Sequence, residues 1–487
     1  MSQPLPDPPR VTIVGGGIAG LAAAFFLREA AAQVTVLEGS PRPGGKLAVS
    51  EVAGIAVDEG AEALLTLRPE GTALIGAVGL ADHLVPPGTL TARIWSRGTM
   101  HPLPRRQVMG VPADLDELAE SGLLSAEGIA AARRDLNLPA TERDGDVPVA
   151  AYVGGRFGQE LVDRLVDPLL GGVYAGRSQE LSFEATLPAL ARESRKHASL
   201  AGAAAALTPG AGRPAADGHG PGVFTTLARG LGTLPSALAT ASGATVRAGA
   251  MVRELARTPT GWRLTIGSAH APEYAEADAV VLAIPARPAS RLLGGVRGAA
   301  AAATALAEIR YASMAIVTLA YPTAAFPQPP EGSGYLVPAV DGRPVKAVTF
   351  STTKWPHLGK GTSLSVVRCS LGRIGEEQVL HTGDRELAEI AARDLAAATG
   401  VRGTPADTRV TRWGGALPQY TVGHLDRVAR IRAAVAALPG LAVCGAAYDG
   451  IGIPACIATA QAAAQQILAH LKVPDRPNGS TRSPAST

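Results

Sequence analysis

The sequence predicts an α/β fold built on a Rossmann-like unit, joined to a mixed-sheet domain and a helical insertion. Three observations carry this. "RVTIVGGGIAGLAAAFFLREAAAQVTVLE" reads as strand, glycine turn, helix, strand. Residues from about 80 to 207 are helix-patterned, and residues from about 296 to 429 hold several strand-like runs.

The opening unit has its first strand at Val11–Val14, a helix from about Ile18 and a second strand at Val34–Glu38. The helix is apolar on most sides and is therefore buried, and a βαβ crossover implies a parallel sheet. "DLDELAESGLLSAEGIAAARRDLN" and "FGQELVDRLVDPLL" are helical segments punctuated by Gly and Pro. "TPGAGRPAADGHGPG" (Thr208–Gly222) reads as a mobile loop. "ATVRAGAMVRELARTPTGWRLTI" alternates as strands about a hairpin at Thr260–Gly261. "ADAVVLAIP" (Ala277–Pro285) is a buried strand that stops at proline. "MAIVTLAY", "KAVTFST", "TSLSVVRCSL" and "TRVTRW" follow as strands, with a helix near 384–399. "GLAVCGAAYDG" gives a last strand and turn, and "IPACIATAQAAAQQILAHL" the terminal helix. Residues after about 472 form a polar, disordered tail.

A chain of 487 residues exceeds one ordinary core, so two or three domains are expected. Aromatic residues are only 4% and alanine fills much of the apolar share, which predicts cores of small residues with close element-to-element approach. A net charge of +3 with no basic run excludes nucleic acid as a partner. Three cysteines, Cys369, Cys444 and Cys456, read as reduced thiols of a cytoplasmic protein, and no Cys/His spacing suggests a metal. The polar, proline-rich N-terminus resembles neither a signal peptide nor an anchor. No apolar run reaches the roughly 18 residues of a transmembrane helix, which leaves peripheral membrane contact open.

The turn Gly15, Gly16, Gly17, Ile18, Ala19, Gly20 is a GxGxxG at a strand-to-helix junction. Gly15 permits the turn, Gly17 lets the backbone approach a pyrophosphate, and Gly20 lets the helix pack on the strand. The helix N-terminus offers unpaired N–H groups to phosphate. Glu38, followed by Gly39, ends the second strand and suits ribose hydroxyls. A plain glycine-rich turn with an incidental acid is the competing reading.

These residues do not separate NAD from FAD. "EGSPRPGGKL" (Glu38–Leu47) does, because Gly44 and Gly45 let the main chain pass a second phosphate or a flat ring. Lys46 then reaches the diphosphate or flavin edge as a point charge, unless it is a solvated lysine. "VDEGAEALL" supplies a third contact through Gly60, Ala61, Glu62 and Ala63. The cofactor so indicated is FAD.

With GxGxxG, the acid, GG and Lys in place, the chain resembles the FAD-dependent amine oxidase-like superfamily. The resemblance implies an FAD domain assembled from discontinuous segments: 1–79, 208–295 and 430–471, around a helical insertion at 80–207 and a substrate domain at 296–429, with a tail at 472–487. It also implies Val252 near the adenine, and Ile451, Gly452 and Ile453 along the flavin or ribityl chain. "RFGQELVDRLVDPLLGGVYAGRSQELS", "GSGYLVP", "KAVTFSTTKWPH", "RWGGALPQYTVGHLDRV" and "AAYDGIGIPACI" resemble segments of the protoporphyrinogen and coproporphyrinogen oxidases. Thr459–Ala460 departs from the Ser–Gly often found there, and the added methyl is expected to shift flavin packing slightly.

That family implies loss of hydride from a porphyrinogen meso carbon to flavin N5, in three rounds that remove six electrons. Dioxygen is the implied acceptor and hydrogen peroxide the product, in haem biosynthesis, with transient contact to the next haem-pathway enzyme. No Ser/His/Asp set or carboxylate pair is present, so no catalytic side chain is assigned. No second dinucleotide fold suggests NAD(P)H as electron source. Arg68 is the first candidate anchor for the propionates, with Arg177 and Lys354 behind it. Val173, Tyr174, Tyr335 and Phe350 are candidate walls of the slot, and Trp413 and Tyr420 candidate flavin neighbours; each also suits a core position. His357, His424 and Cys444 read as structural. The resemblance favours coproporphyrinogen III by analogy with the soluble relatives from Gram-positive bacteria, with protoporphyrinogen IX as the alternative; a flavin amine oxidase and a non-catalytic porphyrin or flavin carrier are the rivals.

Overall fold

The computed structural model describes residues 8–140, 143–208 and 223–471. The loop expected at 208–222, apart from Thr208, and the tail expected after 472 lie outside the described residues.

A five-stranded sheet forms the base. Its order is Thr245–Arg247, Gln33–Leu37, Arg10–Val14, Ala279–Leu282 and Leu441–Val443, and every pair is parallel. Strands buried on both faces explain the apolar run "AVVL" and the largely apolar "VTIV", whose Thr12 is buried as well. On one face Ile18–Phe26 packs against Ile453–Leu471 and Leu234–Ser242. Ala22, Ala23 and Ala24 meet Ala460, Ala463 and Ala464 in that core, so alanine permits the close helix approach that the composition predicted. On the other face lie the antiparallel strands Val252–Arg257, Trp262–Ser268 and Ala271–Ala277, with helices Ala286–Gly294, Ala300–Ala307 and His424–Ala436. The hairpin turn falls at Thr258–Gly261, where the Thr258 N–H donates to the Gly261 carbonyl at 2.9 Å.

A second sheet has seven strands in the order Asp407–Pro418, Tyr311–Pro322, Leu364–Leu371, Val345–Phe350, Gly334–Leu336, Arg93–Ser96 and Thr99–Pro102. It is mixed, because Gly334–Leu336 runs parallel to Arg93–Ser96 and the other pairs are antiparallel. Helix Asp384–Thr399 covers one face through Leu387, Ala388, Ala391 and Leu395.

Two boundaries differ from the sequence expectation. The helical insertion starts at Leu115, because Arg93–Pro102 is a hairpin that completes the second sheet. Helix Ala300–Ala307, expected in the substrate domain, and helix His424–Ala436, which straddles the expected boundary at 429/430, both pack in the core beside the five-stranded sheet. Within the insertion, Arg156 donates through Nε to Asp135 at 2.5 Å, and Asp135 accepts the Leu200 and Ala201 amides at 3.1 and 2.8 Å. The "RFG" segment is thus a structural clasp that caps helix Leu200–Leu207. Among the described residues no helix is long and apolar enough to cross a membrane, and no group of side chains could hold a metal ion.

Candidate active site

A cavity of about 450 Å³ opens at the C-terminal ends of the parallel strands, where the two sheets meet. This is the position at which open α/β sheets receive ligands. Its floor is the first glycine turn. Gly15 has φ +105°, and a Cβ there would stand 2.5 Å from the Ala283 carbonyl oxygen. A Cβ on Gly20 would stand 1.9 Å from the Gly15 oxygen, so the helix reaches the strand only because both are glycine. Gly17, Ile18 and Ala19 line the cavity, and the space in front of Gly17 is open.

Glu38 is held by two backbone donors. The Gly16 amide donates to Oε2 and the Ser40 amide to Oε1, both at 2.7 Å. Each oxygen keeps acceptor capacity, and the carboxylate lines the cavity. Gly44 and Gly45 lie against the first turn: the Gly44 amide donates to the Gly16 carbonyl at 2.7 Å, and Gly44 has φ +114°. The adjacent glycines let this second loop seat on the first, bringing Lys46 to the cavity wall. Gly60 crosses Lys46 so closely that a Cβ would lie 2.0 Å from the Lys46 oxygen.

The Lys46 ammonium makes no hydrogen bond or ion pair among the described residues. Burial holds its ammonium below the usual range, an effect the nearby Cys456 opposes. A half-buried, partly desolvated cation facing a cavity without a carboxylate partner is costly unless an anion completes the site. With the helix N-terminus and Glu38, it matches the diphosphate and ribose of a dinucleotide, so these residues fit the group.

The other end of the cavity is apolar: Tyr311, Met314, Ile316, Trp413, Ala416, Leu417, Ile451 and Ile453 line it. Trp413 is fixed by its Nε1–H, which donates to the Glu59 carbonyl at 2.9 Å. The Tyr311 hydroxyl, pushed up to about 12 by burial, accepts the Ala286 amide at 2.9 Å. Burial pushes the Cys456 thiol up to about 11. Both stay neutral near pH 7, and Glu38 and Lys46 are the charged groups among the described lining residues. The walls therefore offer shape, exclusion of water and anion binding, without an acid–base pair.

Several expected residues stand elsewhere. Gly16 and Gly39 support the cavity from outside: Gly16 holds Glu38, and a Cβ on Gly39 would meet Met251 at 2.6 Å. Val252 turns into the core behind Met251. Glu62 is engaged by Lys354 at 2.7 Å and by Arg368, and neither it nor Ala63 lines the cavity. The Gly452 carbonyl accepts the Cys456 amide at 3.0 Å, opening the last helix. Tyr335 and Phe350 pack with Trp95 in the second sheet's core, with ring centroids 5.9 Å apart from each other. They are core residues because they sit on the face covered by helix Asp384–Thr399. Tyr174 is buried against Tyr420, and Val173 is exposed. Arg68 is half-exposed and pairs with Glu70 at 3.1 Å, while Arg177 pairs with Glu376. Thr459 lies beneath the site, where its hydroxyl accepts the Gly445 amide at 2.9 Å and donates to the Cys456 carbonyl at 2.8 Å. His424 and Cys444 are buried, as expected of structural residues.

Ala283, Ile284, Pro285, Tyr311, Met314, Ile316 and Leu417 line the cavity without having been singled out from sequence, and Gly445–Ala447, in the segment ahead of Ile451, line it too. The strand-ending proline of "ADAVVLAIP" was the available signal, since that end of a parallel strand faces the ligand crevice.

The family described as flavin containing amine oxidoreductase matches residues 18–468. A coproporphyrinogen III oxidase of Mycobacterium bovis is 37% identical over 467 residues, covering 94% of this chain and 96% of its own. The coproporphyrinogen III oxidase of Bacillus subtilis is 31% identical over 470 residues, covering 95% and 98%. A solved structure from Exiguobacterium sp. 255-15, provisionally named a protoporphyrinogen oxidase, superposes with a TM-score of 0.83 at 32% identity, covering 95% and 99%. The match runs over the anchored acid, the half-buried lysine and the apolar end of the cavity, and the chain belongs to the flavin containing amine oxidoreductase family.

Proposed function

We propose that the protein oxidises coproporphyrinogen III to coproporphyrin III, using FAD and dioxygen, with hydrogen peroxide as product. The observation that carries this is near full-length likeness to coproporphyrinogen III oxidases, around a cavity with one apolar end. Removal of six hydrogens from the macrocycle balances three dioxygen molecules reduced to three of peroxide. When bound, the flavin supplies the two-electron acceptor.

The chain's own residues bind, orient and exclude water. Glu38 accepts from ribose hydroxyls. Amides at the start of helix Ile18–Phe26, with Lys46, take the diphosphate charge. Trp413, Met314, Ile316 and Leu417 keep the chamber dry, which suits a flat apolar substrate. Arg68, half-exposed and outside the cavity lining, is the proposed contact to a propionate. The reading includes a cytoplasmic location and transient contact with the next haem-pathway enzyme.

Protoporphyrinogen IX is the second reading, favoured by the name given to the Exiguobacterium structure. Parallel peroxide assays with both porphyrinogens and with amines test the assignment. Turnover fastest with coproporphyrinogen III supports it; peroxide from amines alone overturns it.

A further inference from the structure

We propose that Tyr420 is a positioning residue: its hydroxyl sets the loop walling the inner end of the cavity, and its ring couples that loop to the helical insertion. The proposal rests on the reading of the cavity as the flavin site. Tyr420 is 1% exposed and does not line the cavity itself. Its hydroxyl donates to the Ala446 carbonyl at 2.7 Å and accepts the Gly450 amide at 2.8 Å. Ala446 lines the cavity, and Gly450 directly precedes Ile451, which lines it too. One hydroxyl therefore spans both ends of the loop between strand Leu441–Val443 and the last helix. A single O–H supplies one donor and further acceptor capacity, so both roles are met at once.

The ring is fixed from two sides. It stacks on His424 at 3.8 Å and 14°, and His424 Nε2 meets the Tyr448 carbonyl of the same loop at 3.0 Å. A carbonyl only accepts, so His424 donates there. On its other side Tyr420 meets the Tyr174 ring at 5.7 Å, and its carbonyl accepts the Ser182 amide at 2.8 Å. Gln419 adds a hydrogen bond from Nε2 to the Tyr174 carbonyl at 2.8 Å. A shift of the insertion would therefore be transmitted to the loop against the flavin, and the reverse. Removing only the hydroxyl leaves the Ala446 carbonyl and Gly450 amide unpaired beside the cavity, freeing the loop to move.

The test is Tyr420→Phe, which keeps the ring stack. The expected result is flavin affinity weaker by about tenfold, the effect of one lost polar link. Altered circular dichroism of the bound flavin and a fall in kcat with porphyrinogen KM within twofold should accompany it. Flavin affinity within twofold of wild type and an unchanged flavin spectrum would overturn the proposal, whatever happens to Tm. If the variant does not fold, amide exchange on the wild-type protein decides. A protected Gly450 amide before flavin is added supports the proposal, and exchange at the open-chain rate overturns it. Affinity and spectrum are read without substrate, so failure here is distinct from failure of the porphyrinogen assignment. Wild-type protein that takes up no flavin would remove the site reading and this proposal with it.

Discussion

Lys354 donates through Nζ to Oε1 of Glu62 at 2.7 Å, joining residues 292 apart in the chain. The other Glu62 oxygen takes Arg368, whose Nη2 also donates to the Gly60 carbonyl at 2.6 Å. Gly60 lines the cavity, so this buried triad ties the second sheet to the flavin-side loop. Replacing Glu62 with Ala leaves the buried Arg368 and the partly buried Lys354 without their carboxylate. A loss of about 3–5 kcal/mol is expected, read by denaturant unfolding. A loss under about 1 kcal/mol, the range of exposed pairs, would show that solvent screens the triad.

Glu62 and Asp58 are expected to respond oppositely to pH. Burial alone would raise Glu62, but Lys354 and Arg368 outweigh it and hold the carboxyl at about 2. Its folded value is depressed, so its contribution is present above the unfolded value of 4.5 and is lost as pH falls toward 2. Burial pushes Asp58 up to about 6, against hydrogen bonds from the Gly232 and Leu231 amides. The fold then favours its protonated form, so its contribution declines as pH rises from 3.8 to about 6. Stability of Asp58→Asn relative to wild type, measured across that window, should therefore improve with pH. A flat difference would contradict the raised value.

Lys46→Met is predicted to act in two directions. Flavin-free protein should gain stability, because a desolvated ammonium without a carboxylate partner is removed. Flavin affinity should fall by about tenfold or more with the loss of a charge-assisted contact. Thermal unfolding and flavin titration of the same sample check both. Unchanged affinity would mean that the ammonium faces solvent once the site is filled.

Glu38→Ala should cost about 1.5–3 kcal/mol for each charge-assisted bond lost in flavin binding. The structure adds a second cost, since the Gly16 and Ser40 amides lose their acceptor and the glycine turn loosens. Glu38→Gln, which keeps one oxygen for a backbone donor, should recover part of the affinity. Equal affinity of the Ala variant and wild type would remove the ribose role.

The glycine end of the cavity was legible in the sequence because its code is local. Gly15, Gly17, Gly20 and Glu38 fall within one βαβ unit, and Gly44, Gly45 and Lys46 follow at once. The apolar end was not, because Met314, Ile316 and Leu417 converge with Ile284 and Ala447 through pairings remote in sequence. Tyr335 and Phe350 were misplaced because an aromatic on a strand looks the same whichever face it occupies, and helix Asp384–Thr399 decides the face. Lys354 looked free to bind a propionate, since nothing near it in sequence reveals Glu62. The hairpin Arg93–Pro102 escaped notice because its strands are four residues each, inside a helical stretch.

Anaerobic titration of the FAD-loaded protein with coproporphyrinogen III tests the central claim most directly. The account predicts bleaching of the flavin's visible absorbance, then its return with porphyrin fluorescence and peroxide when air is admitted. Flavin that binds but keeps its colour under coproporphyrinogen III and protoporphyrinogen IX alike would contradict it.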